Sequence, residues 1–417
     1  MLAFMFPGQG SQRPGMGTPW REHPSFELVE QASDITGRDV ARLLCDADAE
    51  ALKQTHNAQL ATFVLSLVVL DGAERVGLEP SLCAGHSLGE YTALVAAGAV
   101  GYEDALRLVA ERGSAMQHAA EATPGTMAAV LGLDDDAAES ACTLAEGDVW
   151  VANYNAPGQV VVAGVAEAVV EAGRVAKEMG AKKVLPIPVG GAFHTPMMSP
   201  ARDRLRKALS STTFHHPEPA VVANVDARAH HDADDWPRLL SAQLCSPVRW
   251  RQTLEALVAA GTQTFLELGP GGVLTGLARR VLPTAETIAV SVATPEHLDR
   301  LIESLAGRSA AQQEAIDHRV GERFHMSERL VVAPTAGLFE PHAAVVGVVP
   351  GPLDRQKTPE PGNAVRIDVG SLIGFVGGTE VRSAFAGTLE GVLVLSGERV
   401  TAGQPVAWLR ASTKEGW

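Results

Sequence analysis

The segment Gly85-His-Ser-Leu-Gly89 constrains this chain more than any other feature. It follows an apolar run, Leu82–Gly85, that reads as a short strand, and it precedes a helical stretch, Glu90–Val100. A strand that turns so abruptly into a helix needs glycine on both sides of the turn, because a Cβ there would meet neighbouring backbone. The turn exposes its central side chain at a helix N-terminus, where the macrodipole favours developing negative charge. Ser87 is therefore a candidate nucleophile. The plainer alternative is a serine that caps the helix.

Around this turn the chain alternates short apolar strands with helical segments up to about Leu305. The strands expected are Leu2–Phe6, Leu82–Gly85, Val221–Val225, Thr264–Leu268 and Ile288–Val292, with helices such as Asp104–His118 and Trp250–Ala259 between them. That rhythm predicts an α/β domain with a mostly parallel sheet. Residues 125–188 break it with a β-α-β-β-α-β order, the pattern of a ferredoxin-like subdomain inserted into the larger domain. The expected organisation is an α/β domain over residues 1–122 and 191–305, the insertion over 123–190, a polar linker over 306–328 and an all-β module over 329–412. Within that module, Val349–Gly362 is turn-rich.

A formal net charge of -15 argues against nucleic acid as a partner. The longest apolar runs, such as Leu60–Leu70, fall short of the ~18 residues of a membrane span. The apolar start, Met1–Pro7, lacks a basic flank and reads as a buried strand, not a signal peptide. Cys45, Cys83, Cys142 and Cys245 form no C-x-x-C pair, so buried thiols in a reducing cytoplasm are expected. The adjacent pairs His215-His216 and His230-His231 read as surface loops, because neighbouring side chains rarely converge on one metal.

A serine hydroxyl needs a base to become a nucleophile. His194, in Gly190-Gly-Ala-Phe-His194-Thr-Pro, is the best candidate, although by itself it reads equally as a structural histidine. No aspartate stands in an obvious third position.

Five motifs then appear in one order: Phe6-Pro-Gly-Gln9-Gly10-Ser-Gln12, Gly85-His-Ser-Leu-Gly-Glu90, Arg112-Gly113 with Met116-Gln117, Asn153-Tyr-Asn155-Ala-Pro-Gly-Gln159, and Gly191-Ala-Phe-His194. In this the chain resembles, over about residues 1–305, the malonyl-CoA:acyl-carrier-protein transacylases and the related acyltransferase domains of polyketide synthases. The resemblance implies an α/β-hydrolase-like large domain with a ferredoxin-like insertion. It also implies that Ser87 is the nucleophile, that His194 is its general base and that the backbone carbonyl of Gln243 is the third member. The backbone amides of Gln9 and Leu88 would form the oxyanion hole. Arg112 would grip the free carboxylate of a malonyl group through two parallel hydrogen bonds. Gln59, Met116 and Asn155 match positions near the acyl pocket, while His86 and Phe193 resemble malonyl-selective members, the bulk of Phe193 leaving less room for an α-methyl group.

The implied reaction is ping-pong transfer of malonyl from malonyl-CoA to an acyl carrier protein, in fatty-acid or polyketide biosynthesis, without metal or redox cofactor. A trans-acting polyketide role fits a free-standing chain with an appendage. Lys182, Lys183, Arg202, Arg204, Arg206, Lys207, Arg249, Arg251, Arg279 and Arg280 are candidates for a basic patch toward an acidic carrier and CoA phosphates. Two alternatives stand beside this reading: a hydrolase that clears misloaded acyl groups with the same serine and histidine, and a non-enzymatic carrier or scaffold subunit. The module over 329–412 resembles a biotinyl/lipoyl carrier domain, or hammerhead. Its expected hairpin tip, Val376-Gly-Gly-Thr379, holds no lysine, and Lys357 and Lys414 lie elsewhere, so no biotin or lipoate attachment is expected.

Overall fold

The computed structural model describes residues 1–282, 287–304, 327–343, 345, 365–383, 387–394 and 396–411. The chain divides into two compact units, Met1–Ile302 and Glu303–Trp417.

Apolar runs too short for helices become the centre of the first unit. Its large sheet has six strands in the order Ile288–Val292, Thr264–Leu268, Leu2–Phe6, Leu82–Gly85, Val221–Val222 and Ala229–His230. The first five run parallel and the sixth returns antiparallel. Leu2–Phe6 is central, and Phe4 and Phe6 face one core while Ala3 and Met5 face another, as a strand covered on both faces requires. Val221–Val225 is shorter than expected because the chain leaves the sheet at Ala223, whose amide donates to Arg228 O.

Two long helices flank the strand–turn–helix. Tyr102–Ala122 extends the expected Asp104–His118 at both ends. Thr55–Arg75 contains the run Leu60–Leu70 and is buried on nearly every side, which is why its sequence shows no polar stripe. Cys83 and Cys142 are buried thiols, but Cys45 and Cys245 are only partly covered, against expectation.

Residues 126–187 build a second, four-stranded antiparallel sheet from Thr126–Leu131, Val149–Ala156, Gln159–Gly164 and Lys183–Ile187, with helices Asp135–Leu144 and Ala166–Glu178. The side chains alternate as a pleat dictates. Ala128, Val130, Val160 and Val162 pack under the two helices, whereas Met127, Val161 and Ile187 face the large domain. An isolated bridge, Asn153 to Val248, ties this sheet to the main body.

The second unit contains two four-stranded sheets around Phe339, Ile373, Val376, Val406 and Leu409. Ser327–Val332 is a strand, so residues 327–328 are not part of a linker; most of the expected linker, Val349–Gly362, Lys357 and Lys414 lie outside the described residues. Strands Leu372–Val376 and Thr379–Arg382 form a hairpin whose turn, Gly377-Gly378, takes positive φ at both residues.

Candidate active site

Four parallel strands end at one place. Gln9 follows Leu2–Phe6, Ser87 follows Leu82–Gly85, Asn224 follows Val221–Val222, and Gly269–Gly272 follows Thr264–Leu268. The crevice beyond the carboxyl ends of such a sheet is where open α/β folds hold ligands. Here it is a cavity of about 400 Å³, walled on its far side by Met127, Val161 and Ile187 of the small sheet.

Ser87 sits at φ 52°, in the left-handed region that a serine adopts only when its surroundings impose it. Backbone crowding imposes it. A Cβ on Gly85 would lie 1.9 Å from the Gly89 carbonyl, and one on Gly89 would lie 2.0 Å from Phe6 O. Gly8 is equally confined, since its Cβ would fall 2.4 Å from His86 O. The Gln9 loop therefore runs directly against the serine turn. Among the described residues, no hydrogen-bond acceptor of the chain meets the Gln9 or Leu88 amide.

His194, also at positive φ, places Nε2 2.7 Å from Ser87 Oγ and Nδ1 2.9 Å from Gln243 O. A carbonyl can only accept, so Nδ1 carries the proton and Nε2 is left to accept from the serine hydroxyl. Burial, then the nearby Arg112 cation, push this imidazole down to about 3. It is therefore neutral at ordinary pH, with the Nε2 lone pair free to accept from the serine hydroxyl.

Arg112, on Tyr102–Ala122, is 1% exposed and points into the same cavity. Nη2 donates to Ser87 Oγ at 3.0 Å and to Gln243 Oε1 at 2.9 Å, while Nη1 donates to Gln59 Oε1 at 2.7 Å. Its charge lies over the Tyr91 ring, 5.4 Å from the centroid. Amide and hydroxyl oxygens hold the guanidinium, and no carboxylate shares its hydrogen bonds among the described residues. Burial lowers its pKa from the usual value.

The other expected residues fall around these three. His86, Met116, Asn155 and Phe193 line the cavity with Gln9, and His86 Nε2 donates to Asn155 Oδ1 at 3.0 Å. Gln59 stands behind Arg112, where its Nε2 reaches Met116 Sδ at 3.2 Å. Gln243 stands behind His194. Sequence reasoning missed Asn224, whose Oδ1 accepts from Ser87 N–H at 2.7 Å and whose Nδ2 donates to Gly85 O at 2.7 Å. It also missed Glu267. This buried carboxylate accepts from the amides of Gly272, Leu274 and Thr275, capping the helix Val273–Val281 whose Leu274 and Leu277 line the cavity. Leu-Glu-Leu-Gly-Pro-Gly-Gly, a strand running into a glycine turn, was the signal available for it.

Several expected surface cations are committed within the chain. Arg204 pairs with Glu111, Arg251 with Asp135 and Arg202 with Asp203; Arg280 bonds Gln159 and Pro157 O, Arg249 bonds Val225 O and Arg279 bonds Ala289 O. Among the described residues, no group of three His, Cys, Asp or Glu side chains could hold a metal ion, and no helix is long and apolar enough to cross a membrane.

A parallel sheet delivering a serine to a neutral imidazole, beside two open amides, is the equipment of a serine acyltransferase. Comparison with known proteins narrows the class. Residues 3–317 match the acyl transferase domain. The malonyl CoA-acyl carrier protein transacylase of Bacillus subtilis is 41% identical over 309 residues, spanning 73% of this chain and 97% of that protein. Its namesake from Escherichia coli K12 is 42% identical over 70% of this chain and 96% of its own length. Among solved structures, the acyl-carrier-protein S-malonyltransferase of Burkholderia pseudomallei superposes with a TM-score of 0.69 at 39% identity, covering 72% of this chain and 99% of that one. A type II PKS acyl-carrier protein in complex with its malonyl-transacylase gives a TM-score of 0.70 at 39% identity, covering 73% and 99%. The chain belongs to the acyl transferase family, among the malonyl CoA-acyl carrier protein transacylases.

Proposed function

We propose that this chain is a malonyl-CoA:acyl-carrier-protein S-malonyltransferase working by ping-pong transfer through an ester on Ser87. The observation that carries the reading is the convergence of His194 Nε2 and an Arg112 terminal nitrogen on Ser87 Oγ, each within hydrogen-bond reach of it.

In this reading the Arg112 guanidinium holds the free carboxylate of malonyl-CoA, which replaces its contact with the serine. Ser87 Oγ attacks the thioester carbonyl as His194 Nε2 takes the hydroxyl proton. The Gln9 and Leu88 amides hold the oxyanion; one such donor is worth roughly 3–4 kcal/mol in comparable hydrolases. The C–S bond breaks, His194 returns its proton to the CoA thiolate, and the malonyl ester remains. The carrier's phosphopantetheine thiol then attacks that ester as His194 takes its proton; the Oγ–C bond breaks, and His194 returns the proton to Ser87 Oγ. Gln243 O stabilises the imidazolium only as a dipole, which suffices because a thiolate leaves more readily than an amine.

The chemistry calls for no metal, redox cofactor, biotin or lipoate, and a cytoplasmic setting in fatty-acid or polyketide biosynthesis follows from the substrates. The first unit is read as an α/β-hydrolase-like domain over 1–122 and 191–305, carrying a ferredoxin-like subdomain over 123–190. The sheet order and the β-α-β-β-α-β succession support that. The second unit is read as a hammerhead without its attachment lysine, supported by its antiparallel sheets and by the Gly377-Gly378 tip. Lys182, Lys183, Arg206 and Lys207 are the remaining candidates for carrier contact.

The test is intact-mass analysis after brief exposure to malonyl-CoA, methylmalonyl-CoA or acetyl-CoA, followed by peptide mapping. A malonyl adduct on Ser87, absent in Ser87→Ala, is expected. No adduct, or one on another residue, refutes the reading.

A further inference from the structure

Behind the nucleophile lies a buried carboxylate that the proposed reaction does not use. Glu90 is 0% exposed on the first turn of Gly89–Ala96, and both its oxygens are engaged. Oε1 accepts from Asn224 N–H at 2.6 Å, and Oε2 accepts from Gln243 Nε2–H at 2.5 Å. No lysine or arginine hydrogen-bonds it among the described residues. A buried carboxylate held by amides alone is costly to maintain, which asks for a reason.

The reason lies in what the two amides do next. Asn224 spans the serine turn, from Ser87 N–H to Gly85 O. The Gln243 side chain has its nitrogen end directed at two acceptors, Glu90 Oε2 and Ser87 O, the latter at 2.8 Å. Its oxygen end is thereby turned toward Arg112 Nη2. An amide has one accepting and one donating end, so fixing the nitrogen fixes the oxygen. Were Gln243 to turn over, its NH2 would face the guanidinium, donor against donor.

Resting on the transfer reading above, we propose that Glu90 is a positioning residue for recognition of the acid-tailed acyl group: by fixing the orientation of the Gln243 amide it aims the Arg112 guanidinium at the site beside Ser87. Its action on the substrate passes through Gln243 and Arg112. The same link reaches the base, because Gln243 also supplies the carbonyl that orients His194.

The substitution Glu90→Gln separates this role from space-filling. It keeps the shape and places an NH2 group where an oxygen stood. The fixed Asn224 N–H takes the new side chain's oxygen, and the new NH2 then confronts Gln243 Nε2, which favours the overturned amide. The measurement is the initial rate of Ser87 loading from malonyl-CoA and from acetyl-CoA, on the full chain, with thermal melting alongside. The wild type is expected to prefer malonyl. In Glu90→Gln the malonyl-to-acetyl ratio is expected to fall at least about tenfold, as the loss of a hydrogen bond to a charged group predicts, chiefly through KM for malonyl-CoA. An unchanged ratio in a folded Glu90→Gln overturns the proposal and leaves the transfer reading intact. A wild type that does not load malonyl on Ser87 overturns both. If Glu90→Gln does not fold, Gln243→Leu carries the test, since it keeps the main-chain carbonyl for His194 but removes the side chain from Arg112. The same fall in ratio is expected there, and an unchanged ratio again overturns the proposal.

Discussion

A base held down to about 3 by burial and by a neighbouring cation stays unprotonated well into acid. Malonyl loading of Ser87 should therefore be nearly independent of pH between about 5 and 8, without the falling limb near 6.5 that an ordinary histidine gives. A stopped-flow profile of acylation against pH checks this, and a midpoint near the ordinary histidine value would contradict it. Arg112→Ala should erode the preference for malonyl over acetyl by roughly 30- to several-thousand-fold, the equivalent of about 2–5 kcal/mol for one member of a buried charge pair. Competition between the two thioesters reads this out directly. Ser87, His194 and Arg112 were legible to different degrees, and the reason is distance along the chain. The serine announces itself through glycines two residues away on either side. His194 and Arg112 needed the resemblance, because their meaning depends on contacts 107 and 25 residues away. Asn224 and the Gln243 side chain act across 137 and 153 residues, and no local pattern carries such a signal.

At the level of elements, the serine turn is held by packing of backbone on backbone. Gly89→Ala should displace the Phe6 carbonyl, cost roughly 1–3 kcal/mol or more, and abolish loading even where the chain still folds. Denaturant unfolding and intact mass, measured together, check the two effects. Most strands could be read from short apolar runs bounded by turn residues, and Leu2–Phe6, Leu82–Gly85, Thr264–Leu268 and Ile288–Val292 stand as expected. Val221–Val225 was overestimated because its apolar run outlasts its pairing. The helix Thr55–Arg75 was harder to read, since a helix buried all round has no amphipathic period.

Across the whole molecule, each unit has its own apolar core, and the Bacillus subtilis relative matches over 97% of its length to 73% of this chain. A chain ending after residue 317 should therefore load malonyl on Ser87 with the same selectivity, as intact mass can test.

The pairing of Arg112 with a malonyl tail has one more consequence. A β-keto-type acid sheds carbon dioxide most readily when its negative charge can spread from the carboxylate into the forming enolate. A guanidinium fixed by two neutral amides pins that charge where it is. On the reading proposed above, the ester on Ser87 is thus protected against decarboxylation while it waits for the carrier thiol.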